Sequence, residues 1–148
     1  MTPEQLLTFA YVADSGNHRV LVWNVTPSSG GQAADFALGQ PASGNLTSQA
    51  SGTSASSLYT PTGLATDGTS LFVADRDNHR VLVWATLPTA GGAPATSVIG
   101  QPSLDAGLSN AGGTVSRDGL DTPSGIYVEP TRLFISDDNN RRILIVPR

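Results

Sequence analysis

The chain has no cysteine, so it can form no disulfide, offers no thiolate nucleophile and holds no Cys-ligated zinc. It has no lysine either. All eight bases are arginine, set against twelve acids for a net charge of −4, which excludes the broad basic surface that nucleic acid requires. Charged residues make up 14% and aromatics 6%. No apolar run approaches the roughly 20 residues that span a bilayer as a helix, so a membrane is not an expected partner. No segment repeats its apolar residues at helical spacing. The opening "MTPEQLLTFAYVAD" carries an acid, lacks a basic n-region and runs straight into a strand pattern. It reads as the approach to a strand rather than a signal peptide, and the compartment stays open.

What the chain does have is a cassette met three times. "ADSGNHRVLVW" (Ala13 to Trp23) returns as "ADRDNHRVLVW" (Ala74 to Trp84) and, more weakly, as "SDDNNRRILIV" (Ser136 to Val146). The equivalent aspartates Asp14, Asp75 and Asp137 stand 61 and 62 residues apart, a fixed period that signals a repeat architecture. Gly, Ser, Thr and Ala crowd the connections, as suits short strands joined by polar loops. The second unit shows the full pattern. "GLATD" passes through Gly68, Thr69 and Ser70 into "LFVAD", the Asp-Gly pair marking a hairpin; "RVLVW" follows a tight turn, and "SVIGQ" follows a Gly/Pro-rich loop. That predicts four short antiparallel strands per unit. Strands such as Leu71–Ala74 and Val81–Trp84 are apolar on both faces and need cover on both sides, which stacking of one sheet on the next provides.

With "PTG", "LFVAD", "DNHRV" and a closing tryptophan, Gly63 to Trp84 resembles the NHL repeat, as do Asn17-His18-Arg19 and Asn78-His79-Arg80. The "GQP" after each outer strand and the "SASSLYTPTG" stretch are similar to tandem NHL-type propellers of bacteria. The resemblance covers nearly the whole chain and implies an all-β fold, an NHL-type β-propeller fragment of about three four-stranded antiparallel blades. Residues 1–148 are expected to form a single arc, with blades near 6–40, 61–101 and 123–148. The first blade lacks an inner strand and the third an outer one. Propellers use about 4 to 8 blades, so three blades close no ring alone. Either the chain belongs to a longer protein or copies associate; a homodimer would bring a six-bladed ring.

The turn residues Asp14, Asn17, His18, Arg19, Asp75, Asn78, His79, Arg80, Asp137, Asn140 and Arg142 mix carboxylates, amides and imidazoles, a set that could serve metal or acid–base chemistry. Their repetition favours a structural role: a catalytic group is needed once, whereas a turn that satisfies its own backbone is needed in every unit. Each Arg is placed to pair with the Asp of its own hairpin. The two histidines have no metal-ligand spacing and no third partner. In the third unit Arg141 replaces the histidine and Val146 the tryptophan. No Gly-x-Ser-x-Gly elbow, Walker loop or dinucleotide fingerprint occurs. No cofactor or metal is therefore expected.

The long connections Pro41 to Thr60 and Pro102 to Thr122 stand apart, because structureless loops of that length are often functional. They are expected on the same face as the turns, where Leu46, Tyr59, Leu104, Arg117 and Asp118 form candidate contacts. The reading is a non-enzymatic scaffold that binds a protein or small ligand on this face. The alternative is a metal-dependent hydrolase or lyase in the central channel, as the resemblance to enzymatic propellers allows.

Overall fold

The structure, a computed structural model, describes residues 8–41 and 52–148. Among them there is no α-helix, and the strands fall into three antiparallel sheets of three, four and three strands. The first holds β1 (Ala10–Asp14), β2 (Arg19–Trp23) and β3 (Phe36–Leu38). The second holds β4 (Pro61–Thr66), β5 (Leu71–Asp75), β6 (Arg80–Trp84) and β7 (Ser97–Ile99). The third holds β8 (Pro123–Val128), β9 (Arg132–Asp137) and β10 (Arg142–Pro147). In each sheet the strands pair in chain order, each with the next.

Register is set locally. Asp75 sits opposite Arg80, and Asp14 and Asp137 sit opposite Arg19 and Arg142 in the same way. The inner strands begin earlier than their apolar runs suggest, at Pro61 and Pro123, with a register shift before Leu64 and before Ile126. A proline donates no ladder hydrogen bond and is tolerated as the first residue of a strand. The Asp67 turn is self-sufficient: one carboxylate oxygen accepts the N–H groups of Thr69 and Ser70 at 2.8 and 2.6 Å.

Two apolar layers hold the sheets together. Between the first and second lie Val20, Val22, Leu71, Val73, Leu82 and Trp84. Between the second and third lie Phe72, Val81, Leu120, Leu133 and Ile135. Strand β5 is buried along its whole length, because the central sheet has a neighbour on both faces. Inner strands β4 and β8 lie side by side, with Thr62 Oγ1 donating to the Ser124 carbonyl at 3.1 Å. The architecture is propeller-like, an arc of stacked antiparallel sheets.

Candidate functional site: the loop face

The first two cassettes fold as a 3-10 turn between two strands, spanning Ser15–Asn17 and Arg76–Asn78, and the third as a plain turn over residues 138–141. The residue just before the second strand takes a left-handed conformation: His18, His79 and Arg141 have φ of 57°, 53° and 53°. The turn side chains converge on the aspartate. Asn78 Nδ2 and Arg80 Nε donate to Asp75 at 2.8 and 2.7 Å, and Asn140 and Arg142 do the same to Asp137. Asn17 and Arg19 hold Asp14 at 3.0 and 2.7 Å. In the second and third units the chain entering the sheet adds a backbone donor, the N–H of Tyr59 to Asp75 and of Asp121 to Asp137.

The environments differ although the residues repeat. Burial pushes the Asp75 carboxyl above its ordinary value, against the opposing pull of Arg80, the Tyr59 N–H and Asn78. Burial also raises Asp14, but bonds from Asn17 and Arg19 outweigh it and leave that carboxyl below its ordinary value. The reason is the cover. Arg80 is fully buried, its guanidinium donating to the carbonyls of Leu104, Ser54 and Ser57 as well as to Asp75.

The histidines join one sheet to the next. His18 Nδ1 accepts the N–H of Thr60 at 3.1 Å, and His79 Nδ1 accepts that of Thr122 at 3.2 Å. Asp121 Oδ1 also lies 3.0 Å from His79 Nδ1, a contact that needs a proton on that nitrogen, whereas the Thr122 bond needs it bare. The first joint, with Tyr59 in place of Asp121, makes the Thr60 bond alone, so the accepting form is the one common to both. Among the described residues no three His, Asp or Glu side chains gather into a metal-holding cluster.

The described parts of the long connections pack against these turns. Gln101 Nε2 ties the second one down, donating to the carbonyls of His79 and Leu108 at 2.9 and 2.7 Å; Gln40 donates in the same way to His18 at 3.0 Å. Gly39 and Gly100, with φ of 87° and 91°, receive Leu58 and Leu120. A β-carbon at either position would stand 2.5 or 2.6 Å from the leucine, so the "GQP" motif is a socket for a leucine near the end of each connection. Sequence reasoning overlooked Leu120 and both glutamines as parts of this face. The in-phase recurrence of "GQP" was the signal that could have found them.

The candidate contact residues separate on this face. Leu46 lies outside the described residues. Tyr59 is 36% exposed and its ring lies 5.2 Å from that of His18. Leu104 is half-buried against the first apolar layer. Arg117 and Asp118 are exposed, and so is Leu108, at 69%. Thr53 of the first connection and Gln101, Asp105, Gly107, Leu108 and Ala111 of the second line a cleft of about 440 Å³. Gln101 Oε1 is buried with no hydrogen-bond partner among the described residues. Tyr59, Leu104, Arg117 and Asp118 are not among the residues that line the cleft.

No curated protein is significantly similar to the chain. Residues 58–84, which comprise the end of the first long connection, the inner hairpin and the cassette up to Trp84, match the family model described as NHL repeat. That segment of the chain is an NHL repeat.

Proposed function

We propose that the chain is a non-enzymatic propeller scaffold whose loop face binds a protein partner, with the arc completed to a ring by a second copy. One observation carries the choice of face: the cleft between the long connections is lined by the exposed Leu108 together with the polar side chains of Thr53, Gln101 and Asp105. A partner that covers Leu108 removes a large apolar side chain from water, and the polar lining can fix its orientation. Tyr59, Arg117 and Asp118 extend the same face with an aromatic and opposite charges, residue types that anchor or border interfaces. The turn aspartates and histidines serve the scaffold, since the carboxylates are bonded within the turn and each histidine Nδ1 accepts an N–H at the entry to the next sheet.

The test begins with capture of a partner on the immobilised chain, its identification by mass spectrometry and titration of the purified partner. Leu108→Asp is expected to weaken binding by roughly tenfold or more, as a central contact does, with an unchanged melting temperature. Affinity that survives both this variant and the Arg117→Ala, Asp118→Ala pair would move the site off the loop face.

A further inference from the structure

The repeat assigns each sheet a backward face and a forward face. On the second sheet Leu71, Val73, Leu82 and Trp84 face the first sheet, while Phe72 and Val81, with Ala65 and Val83 beside them, face the third. One repeat earlier, the backward positions are Ala10, Val12, Leu21 and Trp23. One repeat later, the forward positions are Tyr127, Phe134, Ile143 and Ile145. Of these, Val12, Tyr127, Ile143 and Ile145 are exposed and the other four half-buried. Val12 is 49% exposed where Val73 is 0%, and Ile143 is 59% exposed where Val81 is 0%. On the third sheet the uncovered face forms a cleft of about 450 Å³ lined by Tyr127, Phe134 and Ile143 among others.

We propose that these two faces are the halves of one interface, and that the occupant of each is a second copy of this chain. The third sheet of one copy covers the first sheet of the other. The reciprocal contact, related by a two-fold axis, closes a ring of six sheets. The internal joints supply the template: where Val20 and Val22 meet Val73, Leu82 and Trp84 within the chain, Ile143 and Ile145 would meet Val12, Leu21 and Trp23 of the partner. The substitutions at the open faces compensate one another. Ala10 is smaller than its equivalent Leu71, while Ile143, Ile145 and Tyr127 are larger than Val81, Val83 and Ala65, so volume lost on one half returns on the other. The cassette changes in step. His18 and His79 take an N–H from the connection entering the next sheet, whereas the third cassette carries Arg141 at that position. An exposed apolar sheet face also needs cover of some kind.

This inference rests on the propeller-arc reading but not on the loop-face partner, since Leu108, Arg117 and Asp118 lie on neither sheet face. Multi-angle light scattering on the whole chain at about 100 μM, well above the dissociation constant of a stable seam, should give twice the 15.3 kDa chain mass. Val12→Lys and Ile145→Glu each alter a side chain exposed in the single chain, so each variant is expected to keep its circular dichroism spectrum and fall to the monomer mass. Mixing the two variants should restore the dimer, because one seam is then native and the other sets Lys against Glu. A Val12→Lys chain that remains dimeric would mean third sheet on third sheet and overturn the pairing. Large polydisperse species would mean head-to-tail stacking without closure and overturn the ring. A monomeric native chain would overturn the second copy as occupant, with the loop-face titration unaffected.

Discussion

The carboxyl groups of Asp14 and Asp75 accept the same two side chains, an asparagine three residues on and an arginine five residues on, yet they stand in different media. Asp75 and Arg80 are both fully buried, whereas Asp14 and Arg19 each keep about a quarter of their side-chain surface. Removing one member of a buried pair leaves the other charged and uncompensated, at a cost of about 3–5 kcal/mol. Asp75→Ala is therefore expected to destabilise the chain on that scale. Asp14→Ala, at a pair still open to solvent, should cost about 1 kcal/mol or less. Denaturant melts of the two variants check this directly, and equal losses would show that burial of the Arg80 guanidinium is not what sets the cost.

Between the elements, the histidine joints combine two demands at one residue. His79 must hold a left-handed backbone while its imidazole accepts the N–H of Thr122. His79→Ala keeps the backbone demand and loses the bond; His79→Gly loses the same bond but removes the left-handed cost of about 1–2 kcal/mol. The glycine variant is thus expected to melt above the alanine variant, the reverse of the usual ranking inside regular structure. Melting temperatures in the opposite order would mean that the turn relaxes away from the left-handed form when the imidazole is gone. The connections work on the same principle of local order supporting long-range packing, since Leu58 and Leu120 fill the Gly39 and Gly100 sockets and close the cover over the cassettes.

At the scale of the molecule, the end of the third sheet is tied back to the second. Arg148 pairs with Asp67 in the β4–β5 turn and lies over the Phe72 ring at 5.1 Å. The Ser70 N–H is the largest contribution to holding the Asp67 carboxyl down; with Thr69 and Arg148 it outweighs burial, and the group titrates at about 2 rather than 3.8. A carboxyl lowered by folding contributes stability at pH above its unfolded value, and that contribution is lost as pH falls through its folded value. The chain should therefore lose stability between about pH 4 and pH 2 partly through Asp67. Asp67→Asn should make the acid limb of a stability–pH curve shallower over that window, and an unchanged limb would exclude Asp67 as a contributor.

Much of the scaffold was legible because it is local. The cassettes, the Asp67 hairpin and the distribution of three, four and three strands follow from turn chemistry and β-branched runs that act over a few residues. The Asp–Arg pairs were legible for the same reason, their register being set by a turn of four residues. The loop face was legible only as an expectation of length and position. "NHRVLVW" is identical in the first two units, but Arg80 is sealed by Ser54, Ser57 and Leu104 from separate connections while Arg19 is not, and no local pattern encodes that difference. Leu104 and Leu108 are likewise two leucines of one loop, one set against the apolar layer and one left in solvent. By itself, then, the sequence determined the repeat, the strands and the turn bonds, whose energies are spent between near neighbours. Only the tertiary structure decided which equivalent side chains are buried, where the acceptor of Gln101 lies and which sheet faces stay open, because those depend on groups brought together from distant parts of the chain.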